Sequence, residues 1–199
     1  MITRGVPMDE QAHGTITARP TWLWPLSILI GLPVGGLIAD LVVDGVDSVL
    51  AGITAGLIAG AIIGAAEWFA LRRWVSWLWI PATSAGMAVG LAAGADLVDY
   101  GIDRVDLAQM GAVTGLVVGI LQALIFARHR IPGAWWWVVA NPPLWALGWF
   151  VSSYVIARNI AERWPVFGAS GAVVFGLLTW VILAMLLRHA DADGLGTQP

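Results

Sequence analysis

The side chain in this sequence best placed to do chemistry is Glu67, the one acid inside an apolar stretch that runs from Val49 to Leu71. A carboxyl group in such a stretch can carry a proton, bind a cation, or clamp neighbouring helices by accepting hydrogen bonds. Charge is costly in a membrane-like environment, so an ionisable residue there is expected to face a bundle interior. Glycine spacing gives the direction. At about 100° per residue, Gly56, Gly60 and Gly64 fall at about 0°, 40° and 80° around a helix, and Glu67 falls at about 20°. Glu67 therefore shares the glycine face.

Two other positions align with it. The segments "GLIAGAIIGAAEW" (56–68), "GAVTGLVVGILQA" (111–123) and "GASGAVVFGLLTW" (168–180) match without gaps, which places Gln122 and Thr179 opposite Glu67. Around a threefold axis the three would form one polar layer, about 8 Å inside the arginines that follow Glu67 at 1.5 Å per residue. That layer is either a structural clamp or a site for a transported solute or ion. A second candidate is the acidic pair Asp40 and Asp96, near the opposite helix ends; carboxylates at a mouth attract cations, and solvated helix ends are the plainer reading. A third is Asn141–Pro142–Pro143, where a helix break beside a transport site or a kink satisfied by neighbouring helices is expected.

The elements that must position these residues are membrane spans. The chain has 199 residues, of which 59% are hydrophobic and 12% charged; a soluble domain carries about a quarter charged residues. The apolar residues gather into six runs of about bilayer length: Trp22–Val43, Val49–Leu71, Trp77–Val98, Leu107–Ala127, Ala134–Ala157 and Trp164–Leu187. The expected fold is all-α, an integral membrane six-helix bundle. Its domain spans 21–190, with tails at 1–20 and 191–199. The first twenty residues lack a signal-peptide pattern, so the first run is expected to stay as a membrane helix.

Internal repetition organises the spans. "WLWPLSILIG" (22–31) resembles "WLWIPATSAG" (77–86), and "LVVDGVD" (41–47) resembles "LVDYGID" (97–103). A third copy starts "WWWVVANPPL" (135–144). Three helical hairpins at about 21–73, 74–130 and 131–189 are expected, in pseudo-threefold array. The glycine stripes, including Gly111, Gly115 and Gly119, suit close helix approach of the GxxxG kind. Trp22, Trp24, Trp74, Trp77, Trp79, Trp135, Trp136 and Trp137 cluster at one set of helix ends and read as an interfacial belt, while Trp145 and Trp149 lie deeper.

Arginines set the orientation. Arg4, Arg19, Arg72, Arg73, Arg128, Arg130 and Arg188 fall on one side of an up-and-down chain, and the opposite loops carry Asp44, Asp47, Asp99, Asp103 and Asp106, with Arg104, Arg158, Glu162 and Arg163. The arginine-rich side, with both termini, is expected in the cytoplasm.

Several chemistries are excluded or unsupported. There is no cysteine and no lysine, so thiol catalysis, iron–sulfur ligation, a Schiff base and the P-loop lysine are absent. His13, His129 and His189 lie in tails or at helix ends, so neither haem ligation nor a metal site is expected, and no cofactor is implied. Intramembrane proteolysis lacks a base beside a serine. No complete catalytic set is present, which favours a non-enzymatic protein, and nothing points to nucleic acid.

The pattern Gly60, Gly64, Glu67, Trp68, Leu71, Arg72, Arg73, followed by a Trp-rich helix start, resembles a group of uncharacterised bacterial polytopic membrane proteins built from such hairpins. The resemblance implies a bacterial plasma-membrane location and no defined activity. The copies at 111–130 and 168–188 depart from the pattern at the Trp and the arginine pair. The mitochondrial carriers also have six helices in three hairpins, but their Pro-x-Asp/Glu-x-x-Lys/Arg motif is missing. Expected partners are the lipid bilayer and a membrane protein or a second copy of the chain. The leading function is a scaffold or accessory subunit of a membrane complex; the alternative is a small-solute or ion transporter or channel using Glu67.

Overall fold

A computed structural model describes residues 22–156 and 169–192. The expected tail at 1–20, residues 193–199 of the second tail, Gly168, and the loop with Arg158, Glu162 and Arg163 lie outside the described residues. Within them every regular element is a helix: α1 (Leu23–Val43), α2 (Val49–Leu71), α3 (Trp79–Leu97), α4 (Arg104–Arg128), α5 (Ala134–Ile156) and α6 (Ala169–Ala192). Local chemistry sets the ends. Asp44 takes a left-handed conformation (φ 54°) and returns its N–H to the Asp40 carbonyl at 2.8 Å, stopping α1. The Ser48 hydroxyl accepts from the Ala51 N–H at 3.3 Å, an N-cap that starts α2. At the start of α4 the Asp106 carboxylate accepts from the Asp103 N–H at 3.3 Å. Part of the acidic loop thus serves as a helix cap.

Among the described residues four helices are long and apolar enough to cross a membrane: Leu23–Val43, Val49–Leu71, Arg104–Arg128 and Ser170–Arg188 within α6. This is the character of an integral membrane protein. Helices α3 and α5 belong to the same bundle but fall outside this set of four. One carries Pro81, Thr83 and Ser84, and the other Asn141, Pro142 and Pro143.

Among the described residues each helix backbone approaches its two neighbours, and α6 closes on α1, so the six form one ring. Several close approaches use the glycine stripes. A Cβ built at Gly56 would lie 2.5 Å from the Ala88 Cα, and one at Gly60 2.6 Å from the Ser84 Cα. These stripes of α2 face α3, and Gly111, Gly115 and Gly119 of α4 face α5 around Trp145, Asn141 and Trp137. These contacts join one expected hairpin to the next, while Gly90 against Thr114 and Gly171 against Gly148 approach as closely within hairpins.

The expected break at Asn141–Pro142–Pro143 is not present: α5 is one continuous helix through both prolines. Two amide donors are missing, but the turn is held from within α5 and from α4. The Asn141 Nδ2 donates to the Trp137 carbonyl at 2.7 Å, and the glycine face of α4 lies against Asn141 and Trp145. A proline helix can stay helical where neighbours satisfy or support it.

At the arginine-bearing end the Ser76 N–H donates to the His129 Nε2 at 3.0 Å, tying the α2–α3 loop to the end of α4. Only a neutral imidazole can accept this bond. Partial burial, and then the neighbouring Arg128 charge, hold His129 below its ordinary value of 6.5. The unfolded chain therefore takes up this proton first. The His129 contribution is complete above about pH 6.5 and declines as pH falls through the lower folded value. The expected result is a wild-type unfolding midpoint in detergent that drops as pH falls below about 6.5, with a shallower drop in His129→Gln. Parallel curves would remove this histidine from the pH response.

Candidate functional site

Glu67, on the glycine face of α2, is buried. Its Oε2 accepts from three donors: the Trp79 Nε1 at 2.8 Å, the Gln122 Nε2 at 2.9 Å and the Thr83 hydroxyl at 3.3 Å. Trp79 and Thr83 are one turn apart on α3, so both face α2. Gln122 comes from α4. Its amide is fully used: Nε2 also donates to the Thr83 Oγ1 at 2.9 Å, and Oε1 accepts from the Trp137 Nε1 of α5 at 2.8 Å. One carboxylate oxygen thus links α2, α3 and α4, and Gln122 extends the link to α5.

Thr179, the third expected member of the layer, is also buried but stands apart from this network. Its hydroxyl accepts from the Trp24 Nε1 at 2.9 Å and donates to the Phe175 carbonyl at 2.6 Å. Trp24 then meets the other two tryptophans edge-on, with ring centroids 6.5 Å from Trp79 and 5.8 Å from Trp137. Phe126 of α4 completes the cluster, 4.9 Å from Trp79 and 5.5 Å from Trp137. These four rings fill the middle of the helix ring beside the polar layer.

This corrects the reading of the tryptophans as one belt. Trp22, Trp77 and Trp135 are 58%, 64% and 57% exposed, and Trp136 is also exposed, as a belt requires. Trp24, Trp79 and Trp137 are 1%, 0% and 1% exposed. Trp74 is buried as well. Residues two apart on a helix point about 200° apart. The tryptophans at the first and third positions of each triplet therefore face opposite ways, one toward the surroundings and one toward the core.

Beyond the aromatic cluster, toward the acidic end, the centre of the ring is empty. A cavity of about 290 Å³ is lined by all six helices, including Ile63, Met87, Met110, Trp145 and Phe175. Asp40 lines it near the acidic end, with Tyr100 and Ser152. Asp96 does not; it is exposed and accepts from the Tyr100 hydroxyl at 3.3 Å. Glu67, Thr83, Gln122 and Thr179 are not among the lining residues. The polar layer and the cavity are therefore stacked along the ring axis as separate features. Asn141 faces α4 and accepts from the Trp145 Nε1 at 3.1 Å.

No protein-family model matches the chain, and no curated protein or solved structure matches it. The resemblance to bacterial hairpin proteins has no family match behind it. The chemistry must be read from the molecule itself. Among the described residues no three His, Cys, Asp or Glu side chains gather to hold a metal ion. What the layer can do is hold helices together through a shared network of buried hydrogen bonds.

Sequence reasoning missed Thr83 and the three inward tryptophans. A test of the indole donors follows. Trp79→Phe keeps an aromatic ring in the cluster but removes one donor to Glu67, and is expected to cost about 1–2 kcal/mol of stability, read from unfolding in mixed micelles. A change as small as that of Trp77→Phe, at the exposed neighbour, would mean the indole bond contributes nothing.

Proposed function

We propose that this chain is a non-enzymatic integral membrane protein, a scaffold or accessory subunit of a bacterial plasma-membrane complex. Its polar layer acts as an interhelical clamp. The observation that carries this reading is the closure of the Glu67 site. Donors from two other helices converge on one carboxylate oxygen, four aromatic rings pack beside the layer, and the central cavity is lined without it. A conducting or coupling carboxylate needs a wet path, and a clamp needs a dry one.

The threefold reading gains support from the bonds themselves. Trp79 to Glu67, Trp137 to Gln122 and Trp24 to Thr179 are the same contact made between an even helix and the odd helix beside it. On this reading the glycine stripes are the packing surfaces that let each such pair close. Arg72, Arg73, Arg128, Arg130 and Arg188 mark the cytoplasmic end, which would place both termini in the cytoplasm. The partner is a membrane protein or a second copy of the chain.

The test is ion flux driven by pH and voltage in liposomes, comparing wild type with Glu67→Gln. No flux above empty liposomes in either protein is expected. Flux in wild type that disappears in the variant would overturn the clamp and make Glu67 a conducting site. Affinity isolation from native membranes is expected to bring down a stable partner, and repeated recovery of a monomeric chain alone would remove the scaffold role.

A further inference from the structure

The central cavity has no role in the clamp, and its chemistry is different. We propose that it binds an amphiphilic cation, with the hydrocarbon body inside the ring and the positively charged group beside Asp40. This goes beyond the clamp reading and does not rest on it.

Size and lining argue for the body. An apolar cavity of about 150 Å³ takes up benzene and stays free of water. This one is about 290 Å³, enough for an alkyl chain or a small ring system. Its deep wall is made by Ile63, Met87, Met110 and Phe175, and methionine adapts its shape and polarisability to different apolar partners. The Trp145 indole N–H is already committed to Asn141, so this residue offers the cavity chiefly its apolar ring. Such a lining selects hydrocarbon.

Charge argues for the head. Among the described residues Asp40 is the one acid in the lining, and no arginine or histidine lies there. Among the described residues the Asp40 carboxylate has no hydrogen bond or ion pair with a side chain. A carboxylate beside apolar helices gains most from a cation that brings its own apolar surroundings. Tyr100 and Trp149 add aromatic rings to the lining, which favour an ammonium group over an anion. Asp96, Asp99, Asp103 and Asp106 surround the same end of the ring and raise the local concentration of cations.

The test is equilibrium dialysis of octyltrimethylammonium against the full chain in lipid nanodiscs, with empty nanodiscs subtracted and neutral 1-octanol as the comparison probe. Saturable binding of the cation at one site per chain is expected. Asp40→Asn should weaken the cation about tenfold, the loss of an ion pair at a partly buried site, and leave octanol unchanged. Ala55→Phe, or Ala172→Phe if the first does not fold, fills the cavity and should abolish binding of both probes. No saturable binding beyond the lipid, or undiminished binding in a folded cavity-filled variant, would overturn the site. Equal cation binding in wild type and Asp40→Asn would overturn the assignment of the head group. None of these outcomes depends on flux, so the clamp and the cavity stand or fall separately.

Discussion

Glu67→Ala is expected to destabilise the bundle by about 3 kcal/mol or more, the largest loss from any single side-chain truncation in the layer. The reason is the number of donors left behind. The Trp79 indole, the Thr83 hydroxyl and the Gln122 amide all aim at one oxygen, and the site is buried too deeply for water to replace it. An unsatisfied buried donor costs about 1–3 kcal/mol, while individual polar contacts between membrane helices average nearer 0.6 kcal/mol. Three donors on one acceptor bring even the lower figure to a measurable loss, and the bond that Gln122 Nε2 keeps to the Thr83 Oγ1 limits the upper one. Glu67→Gln keeps an oxygen acceptor and should lose less. Reversible unfolding in mixed micelles gives both numbers. A Glu67→Ala protein as stable as Leu57→Ala, at an exposed position of the same helix, would show that the donors find other partners.

The second large effect is steric. Gly56→Ala is expected to cost about 2–3 kcal/mol, the upper part of the range for overpacking. The added methyl would sit 2.5 Å from the Ala88 Cα and 2.5 Å from the Met87 carbonyl oxygen. Both are backbone atoms, so no side chain can turn aside and the two helices must separate. Separation also strains the Trp79–Glu67 bond further along the same pair. Gly148→Ala is the control. There the nearest atom is the Phe175 Cβ at 3.4 Å, an ordinary contact, and the change should be close to neutral. If the two variants unfold at the same point, close approach of α2 and α3 is not what holds that pair together.

Much of this arrangement was readable because the even helices carry their own reference direction. The glycines fixed which face of α2 turns inward, so the burial of Glu67 followed from phase alone. The gapless alignment then led to Gln122. The odd helices have no such reference near their starts. Tryptophan suits both a lipid interface and a bundle core, so residue type could not separate Trp22 from Trp24. The two-residue spacing could have done so. Thr83 was missed because a lone threonine in a membrane helix usually bonds its own backbone. Asp96 shows a register error of one residue. Asp40 and Asp96 are fifty-six residues apart, whereas Trp24 and Trp79 are fifty-five apart. In the tryptophan register the counterpart of Asp40 is Ala95, which is buried, and Asp96 is turned about 100° away. The continuity of α5 through two prolines could not be read locally, because part of its support comes from α4.

Ring closure has a consequence for synthesis at the ribosome. Trp24 and its partner Thr179 are 155 residues apart in sequence. At about 5–20 residues per second, that separation amounts to roughly 8–30 s of translation. Through that interval α1 has reached the bilayer, but its indole donor has no Thr179 to bond and one flank has no neighbour. The nascent chain is then an arc with two bare edges, the state most open to capture by a chaperone, an insertase or another arc. Arrest of translation before α6 should therefore yield a protease-sensitive membrane intermediate, and release of the last helix should end that sensitivity in one step.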